Sequence, residues 1–227
     1  MAADQDGSVG KVINANPQTG LKMFVPEQFE MPELATQHNF IREFGFGVVV
    51  SHSGSLSATH LPFVLDANEG DLGVLYAHCA KANPFWKNLE GQNVLVIFTG
   101  PHGYISPSWY LNKPAVPTWN YTAVHASGTA TLLDSKNTLK AVDKVVEQYE
   151  PQLLINGDIV TDSIKQKLLA GIVGFKIELN KLEGKLKLGQ NKNNLDQQAV
   201  YQALSTSNSF DDLALANYMN QLNMIGT

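Results

Sequence analysis

The 227-residue sequence predicts a mainly β protein with peripheral helices, its antiparallel strands closing fully or partly into a barrel. Three observations lead there. Six or seven β-rich stretches recur at short spacing between residues 46 and 188, and turn-forming residues separate them. The stretches from 46 to 78 also follow one another without intervening helices, which a doubly wound parallel sheet would require.

Residues 1–22 are polar and aperiodic, and read as a flexible leader. The character changes at Met23, which is also a plausible natural start. Residues 33–44 carry Leu34, Ile41 and Phe44 on one helical face. A strand follows at 46–51, a turn at Ser53-Gly54-Ser55, and a second strand from Leu56 to Asp66. After the turn at 68–71 come a strand at 73–78 and a short helix at 84–89. The apolar run 93–99 reads as a buried strand. Pro107, Pro114 and Pro117 mark a surface loop, and 119–133 alternates as a long strand. Helical periodicity returns at 135–150 and 161–170. Residues 172–188 read as a strand pair with a turn or bulge at Glu183-Gly184, and 195–225 as one or two helices.

Composition narrows the function. Hydrophobic residues at 44% and charged residues at 16% support a real core and exclude global disorder. No run of about 18 apolar residues suggests a membrane span, and the N-terminus lacks the pattern of a secretory signal. One cysteine, Cys79, precludes an internal disulfide framework and points to a reducing cytoplasm. The net charge of −5 conceals a basic stretch at 165–192, with seven lysines against two glutamates. Arg42 is the only arginine, so bidentate readout of guanine is nearly out of reach and direct DNA binding is disfavoured.

Several motifs bear chemistry. In 76–91, a strand ending at His78 turns through small residues into a helix with Asn83 as N-cap and Pro84 as first residue. Free N–H groups beside Lys81 make a phosphate cradle; the plainer alternative is a capped helix with a solvated lysine. In 57–62, Thr59 and Leu61 share one strand face and His60 takes the other. A strand with small polar side chains can hydrogen-bond a planar heteroaromatic ring, or simply be half exposed. Residues 99–121 concentrate Trp109, Tyr110, Trp119 and Tyr121, as a site lining or as core packing. In 182–191, Lys185 and Lys187 share a face, either solvated or lending charge to an anionic ligand or a partner subunit. Ser106 and Ser108 lack a nucleophile elbow. The six histidines show no metal-ligand spacing.

These segments occur together, in order, in one family. Met-Phe-Val-Pro-Glu-Gln-Phe at 23–29, Ala-Thr-His-Leu-Pro at 58–62 and His-Cys-Ala-Lys-Ala-Asn-Pro-Phe-Trp-Lys at 78–87 resemble the PaiB family. So do Gly-Pro-His-Gly-Tyr-Ile-Ser-Pro-Ser-Trp-Tyr at 100–110, Val-Pro-Thr-Trp-Asn-Tyr at 116–121, Val-His-Ala-Ser-Gly-Thr-Ala at 124–130 and Glu-Gly-Lys-Leu-Lys-Leu-Gly-Gln-Asn at 183–191.

The resemblance implies an FMN-binding split β-barrel, six- to seven-stranded and Greek-key-like, related to the pyridoxine phosphate oxidases. It implies a homodimer with non-covalent FMN at the subunit interface. Lys81 and Asn83 would then meet the flavin phosphate, without the arginine usual in the wider group. Thr59, His60 and Leu61 would lie along the isoalloxazine. His125 and Ser127 on a later strand, and Lys187 and Gln190 on the last, would complete the site, the last pair reaching across the dimer. The domain spans 23–192 and a helical extension 193–227. The family's other description, a negative transcriptional regulator of sporulation and protease synthesis, gives a second expectation of direct or indirect repression. A third is haem binding in the same barrel through His78 or His125.

Overall fold

A computed structural model describes residues 22–155 and 159–225; the expected leader, apart from Lys22, lies outside them. Alternating burial builds the first hairpin. β1 (Phe46–Ser53) and β2 (Ser55–Pro62) pair antiparallel around Gly54, whose φ of 78° is a left-handed value that favours glycine. β3 (Val64–Asp66) and β4 (Val74–Ala80) form a second pair. β5 (Asn93–Ile105), β6 (Thr118–Leu132) and β7 (Ile172–Lys187) are long strands in successive antiparallel register. The sheet order is β2-β1-β5-β6-β7-β4-β3.

The two edges of this sheet, β2 and β3, are halves of one extended segment interrupted at Phe63. That continuity rolls the sheet into a barrel. The sequence predicts one unbroken strand from 56 to 66; the break arises because Phe63 leaves the ladder, its N–H donating to the Gly45 carbonyl at 2.8 Å. The Phe63 ring is fully buried, edge-on to Phe98 (5.7 Å between centroids) and Phe175 (6.5 Å).

Two further expectations are corrected. β5 does not stop at Thr99 but continues to Ile105, because a bulge between Thr99 and His102 absorbs Pro101 without needing its missing N–H. Residues 172–188 are not a strand pair: they form one strand, and the irregularity falls opposite the Ser127/Gly128 step rather than at Glu183-Gly184. The extra residue there, Asn180, reverses the inward parity. Phe175, Ile177 and Leu179 face the core before it, and Leu182, Gly184 and Leu186 pair opposite inward residues of β6 after it. Gly184 leaves room for Met31, whose side chain would come within 2.7 Å of a Cβ at that position.

The helices are peripheral. α1 (Leu34–Glu43) packs against β3, β6 and β7, and α2 (Ser135–Tyr149) covers β3, β4 and β7. Short α3 (Gln152–Ile155) is followed by α4 (Asp162–Leu169). The C-terminal region holds two helices, α5 (Asn194–Ser205) and α6 (Phe210–Gln221), with α6 lying over β5. Among the described residues no helix is long and apolar enough to cross a membrane.

Candidate flavin site

The turn between β4 and the short 3-10 helix Pro84–Asn88 is built as its sequence implies. Asn83 caps the helix, its side-chain oxygen accepting from the Phe85 N–H at 3.0 Å, while Phe85 anchors in the core. The turn is pinned on two more sides. The Lys81 N–H donates to the Gly171 carbonyl at 2.8 Å, and the Trp86 indole N–H donates to the Lys81 carbonyl at 3.0 Å. What remains open is the exposed Lys81 ammonium, which has no acceptor among the described residues, and the Ala82 N–H beside it. A positive charge next to a free backbone donor suits a phosphate.

This turn docks on β2. The Asn83 side-chain N–H donates to the Thr59 hydroxyl at 3.1 Å, joining residues 24 apart in sequence. β2 is an edge strand with no ladder to β4, so its outer backbone edge is open to a ligand beside the turn. The side chains on β2 divide as its pleat dictates. Leu61 is committed to the core, Thr59 is half-buried facing the turn, and His60 points outward over Phe46, with ring centroids 6.2 Å apart.

Outside the barrel, cross-strand pairing aligns His60, Val48, Ile97, His125 and Glu183 in one row over five strands. The next outward row runs Ala58, Val50, Leu95, Ser127 and Lys181. His60, His125 and Ser127 are thus brought to one face, interleaved with aliphatic side chains that sequence reasoning missed because strand register is not local. Burial holds the His125 imidazole below its ordinary value, with Glu183 opposing and Lys181 assisting. Lys181 and Glu183 pair at 3.0 Å.

The other expected residues lie elsewhere. His78 sits opposite Gly174, where Thr138 of α2 packs, and its Nδ1 is sealed from solvent without a partner among the described residues. Lys187 and Gln190 lie at the far end of β7, whose near end begins beside Lys81; sixteen residues of strand span up to about 50 Å. Lys187 donates to the Thr118 hydroxyl and the Trp119 carbonyl. Gln190 is used within its own turn, accepting from the Leu188 N–H and donating to the Leu186 carbonyl. Within one protomer Lys187 and Lys81 thus lie at opposite ends of β7.

A cavity of about 530 Å³ at the β3–β4 turn is lined by Glu69, Asp71 and Glu178 and is chemically unlike a phosphate site.

Comparison with known proteins bears on the fold and the family. Solved structures share the barrel: the FAD and haem binding protein from Mycobacterium smegmatis (TM-score 0.56, 16% identity, covering 70% of this chain and 74% of that one). The flavocytochrome Anf3 from Azotobacter vinelandii also superposes (TM-score 0.56, 17% identity, 71% and 70%). The fold is thus the split barrel, and residues 23–181 match the family described as "Putative FMN-binding domain". The chain is 36% identical over 203 residues to the protease synthase and sporulation protein PAI 2 of Bacillus subtilis, covering 87% of this chain and 96% of that protein. It is 30% identical over 233 residues to the uncharacterized protein AN0679 of Emericella nidulans (83% and 93%). The chain belongs to the PaiB family of flavin-binding split barrels.

Proposed function

We propose that this protein binds FMN non-covalently along the open edge of β2, with the phosphate at the Ala80–Asn83 turn, and serves a redox or sensing role as a homodimer. The observation that carries the reading is the Asn83–Thr59 bond, which joins the phosphate-type turn to the free strand edge. Lys81 supplies the counter-charge, and the Ala82 N–H a neutral donor. His60, His125 and Ser127 border the ring system on the outer face. FMN supplies one- or two-electron redox chemistry; the chain's part is to hold and desolvate it.

The dimer reading rests on the outer face of β1, β2 and β5. Val48, Val50, Leu95 and Ile97 are only half-buried there, Phe46 is 66% exposed and Leu56 77%. α1 and α2 pack on β3, β4, β6 and β7, and α6 meets β5 around Gly103, beyond the row that holds Leu95 and Ile97. A second copy covering this face would bury it beside the flavin.

Purified protein should be yellow, or take up added FMN with a shift of its visible bands. A colourless protein that ignores both FMN and FAD would overturn the reading, and tighter uptake of FAD would change the flavin. A Soret band on haem addition, lost in His125→Ala, would instead favour the haem reading.

Direct repression of DNA has less support. Of the seven lysines in 165–192, Lys165, Lys176 and Lys181 are occupied in ion pairs. A salt-sensitive gel shift on promoter DNA would reverse that judgement.

A further inference from the structure

At the barrel end opposite the Lys81 turn lies a second polar cavity, of about 160 Å³, between the start of β6, the end of β7 and the approach to α5. Tyr110, Thr118, Asn120, Lys187, Gly189 and Lys192 line it.

Its polar side chains belong to largely buried residues, and their polar atoms are uncommitted and open to the cavity. Asn120 is only 3% exposed, and its side-chain amide makes no hydrogen bond among the described residues. The amide atoms are not sealed, so what the Asn120 side chain has left to bond opens on the cavity. Tyr110 is 6% exposed, and its hydroxyl likewise has no hydrogen-bond partner among the described residues. The chain reaches Gly189 with a φ of 91°, and even a Cβ there would lie 3.8 Å from the Asn120 nitrogen. Glycine thus satisfies the turn while keeping the amide approachable.

The charge is one-sided. The Lys192 ammonium rests over the Tyr110 ring, 4.9 Å from its centroid, and forms no ion pair among the described residues. Lys187 spends two of its three donors on Thr118 and Trp119 and also lacks an acidic partner. Lys185 lies two residues away on the same strand, held by the Phe24 carbonyl. The nearby carboxylate, Asp196, is already saturated: it accepts from the N–H groups of Leu111 and Asn112 and from the side chains of Asn112 and Asn193. Burial, followed by the charges of Lys185 and Lys192, depresses the Lys187 ammonium, as crowding without a counter-ion should.

We propose that this cavity is a binding site for a small anion, a carboxylate or a phosphate ester, held by Lys187 and Lys192 and oriented by Asn120 and Tyr110. It is separate from the flavin turn of the same protomer, and its existence does not depend on which flavin that turn holds. An effector or substrate with one anionic head and a neighbouring hydrogen-bonding atom matches the lining: two cations for the head, an amide and a phenol for the atom.

The test is titration of the full-length protein with inorganic phosphate and, separately, with acetate, followed by calorimetry and by the fluorescence of Trp119, whose carbonyl Lys187 holds. Saturable binding of one anion is expected, and which one wins identifies the head group. Lys192→Met, a change at a half-buried lysine, and Asn120→Leu should each weaken it about tenfold or more, while Lys140→Met on α2 leaves it unchanged. FMN uptake should stay as in the wild type for all three. Absence of saturable binding by either anion, or equal affinity in Lys192→Met and the wild type, would overturn the proposal. A parallel loss of FMN in Lys192→Met would overturn it too, by making the cavity part of a flavin site.

Discussion

The side-chain amide of Asn83 holds the hydroxyl of Thr59 at 3.1 Å while its oxygen caps the Pro84–Asn88 helix. One residue thereby fixes both the shape of the turn and its position on β2. Thr59→Val should leave the cap intact but release the turn from the strand, weakening FMN with little change in melting temperature. Asn83→Ala should lower stability as well, by about 1 kcal/mol for the lost cap. Thermal melts alongside flavin titrations separate the two; equal flavin affinity in Thr59→Val and the wild type would deny the bond a role in the site.

Lys81→Ala should weaken FMN by about 1.5–3 kcal/mol, the worth of a hydrogen bond to a charged group. Riboflavin, which lacks the phosphate, should lose nothing. Measuring both flavins shows whether Lys81 reads the phosphate.

Burial lowers the His78 imidazole from its ordinary value of 6.5. A depressed imidazole stays neutral in the fold but takes a proton once unfolded. Its contribution is whole above about pH 6.5 and is lost as pH falls from there through the folded value. Melting temperature should therefore drop between pH 7 and pH 5, and His78→Leu should flatten that slope. An unchanged slope would show that another group governs it.

Ile97→Lys places a charge in the middle of the exposed aliphatic row without touching the barrel interior. It should shift a dimer towards monomer in sedimentation at micromolar concentration while retaining the fold by circular dichroism. Retention of the dimer would move the interface to another face.

Phe63→Ala empties the ring space between Phe98 and Phe175 at the break between β2 and β3. A loss of about 3–5 kcal/mol is expected by denaturant unfolding.

Much of this was legible locally. The alternation of β6, the capped turn at Asn83 and the opposed faces of Thr59 and His60 follow from near neighbours in the chain. What escaped depends on distant partners. Pro101 reads as a strand end because its missing N–H is visible in the sequence, whereas the bulge that accommodates it is set by β6. The parity reversal at Asn180 is marked in the sequence by apolar positions passing from odd to even numbers between Leu179 and Leu182, but the turn-forming Glu183-Gly184 nearby competes as the site of the irregularity. The row from His60 to His125 needs three strand registers at once. The Asn120 cavity needs the ends of β6 and β7 together with the approach to α5, so Lys187 could be suspected of holding an anion but not Asn120.

The break at Phe63 also orders events at the ribosome. Until Ile172–Lys187 has emerged, the strands already made can pair only as two partial sheets, β2-β1-β5-β6 and β3-β4. β7 alone pairs with both. About four fifths of the polypeptide must therefore be synthesised before the barrel can shut, and until then its unpaired strands remain available to chaperones or to a neighbouring chain.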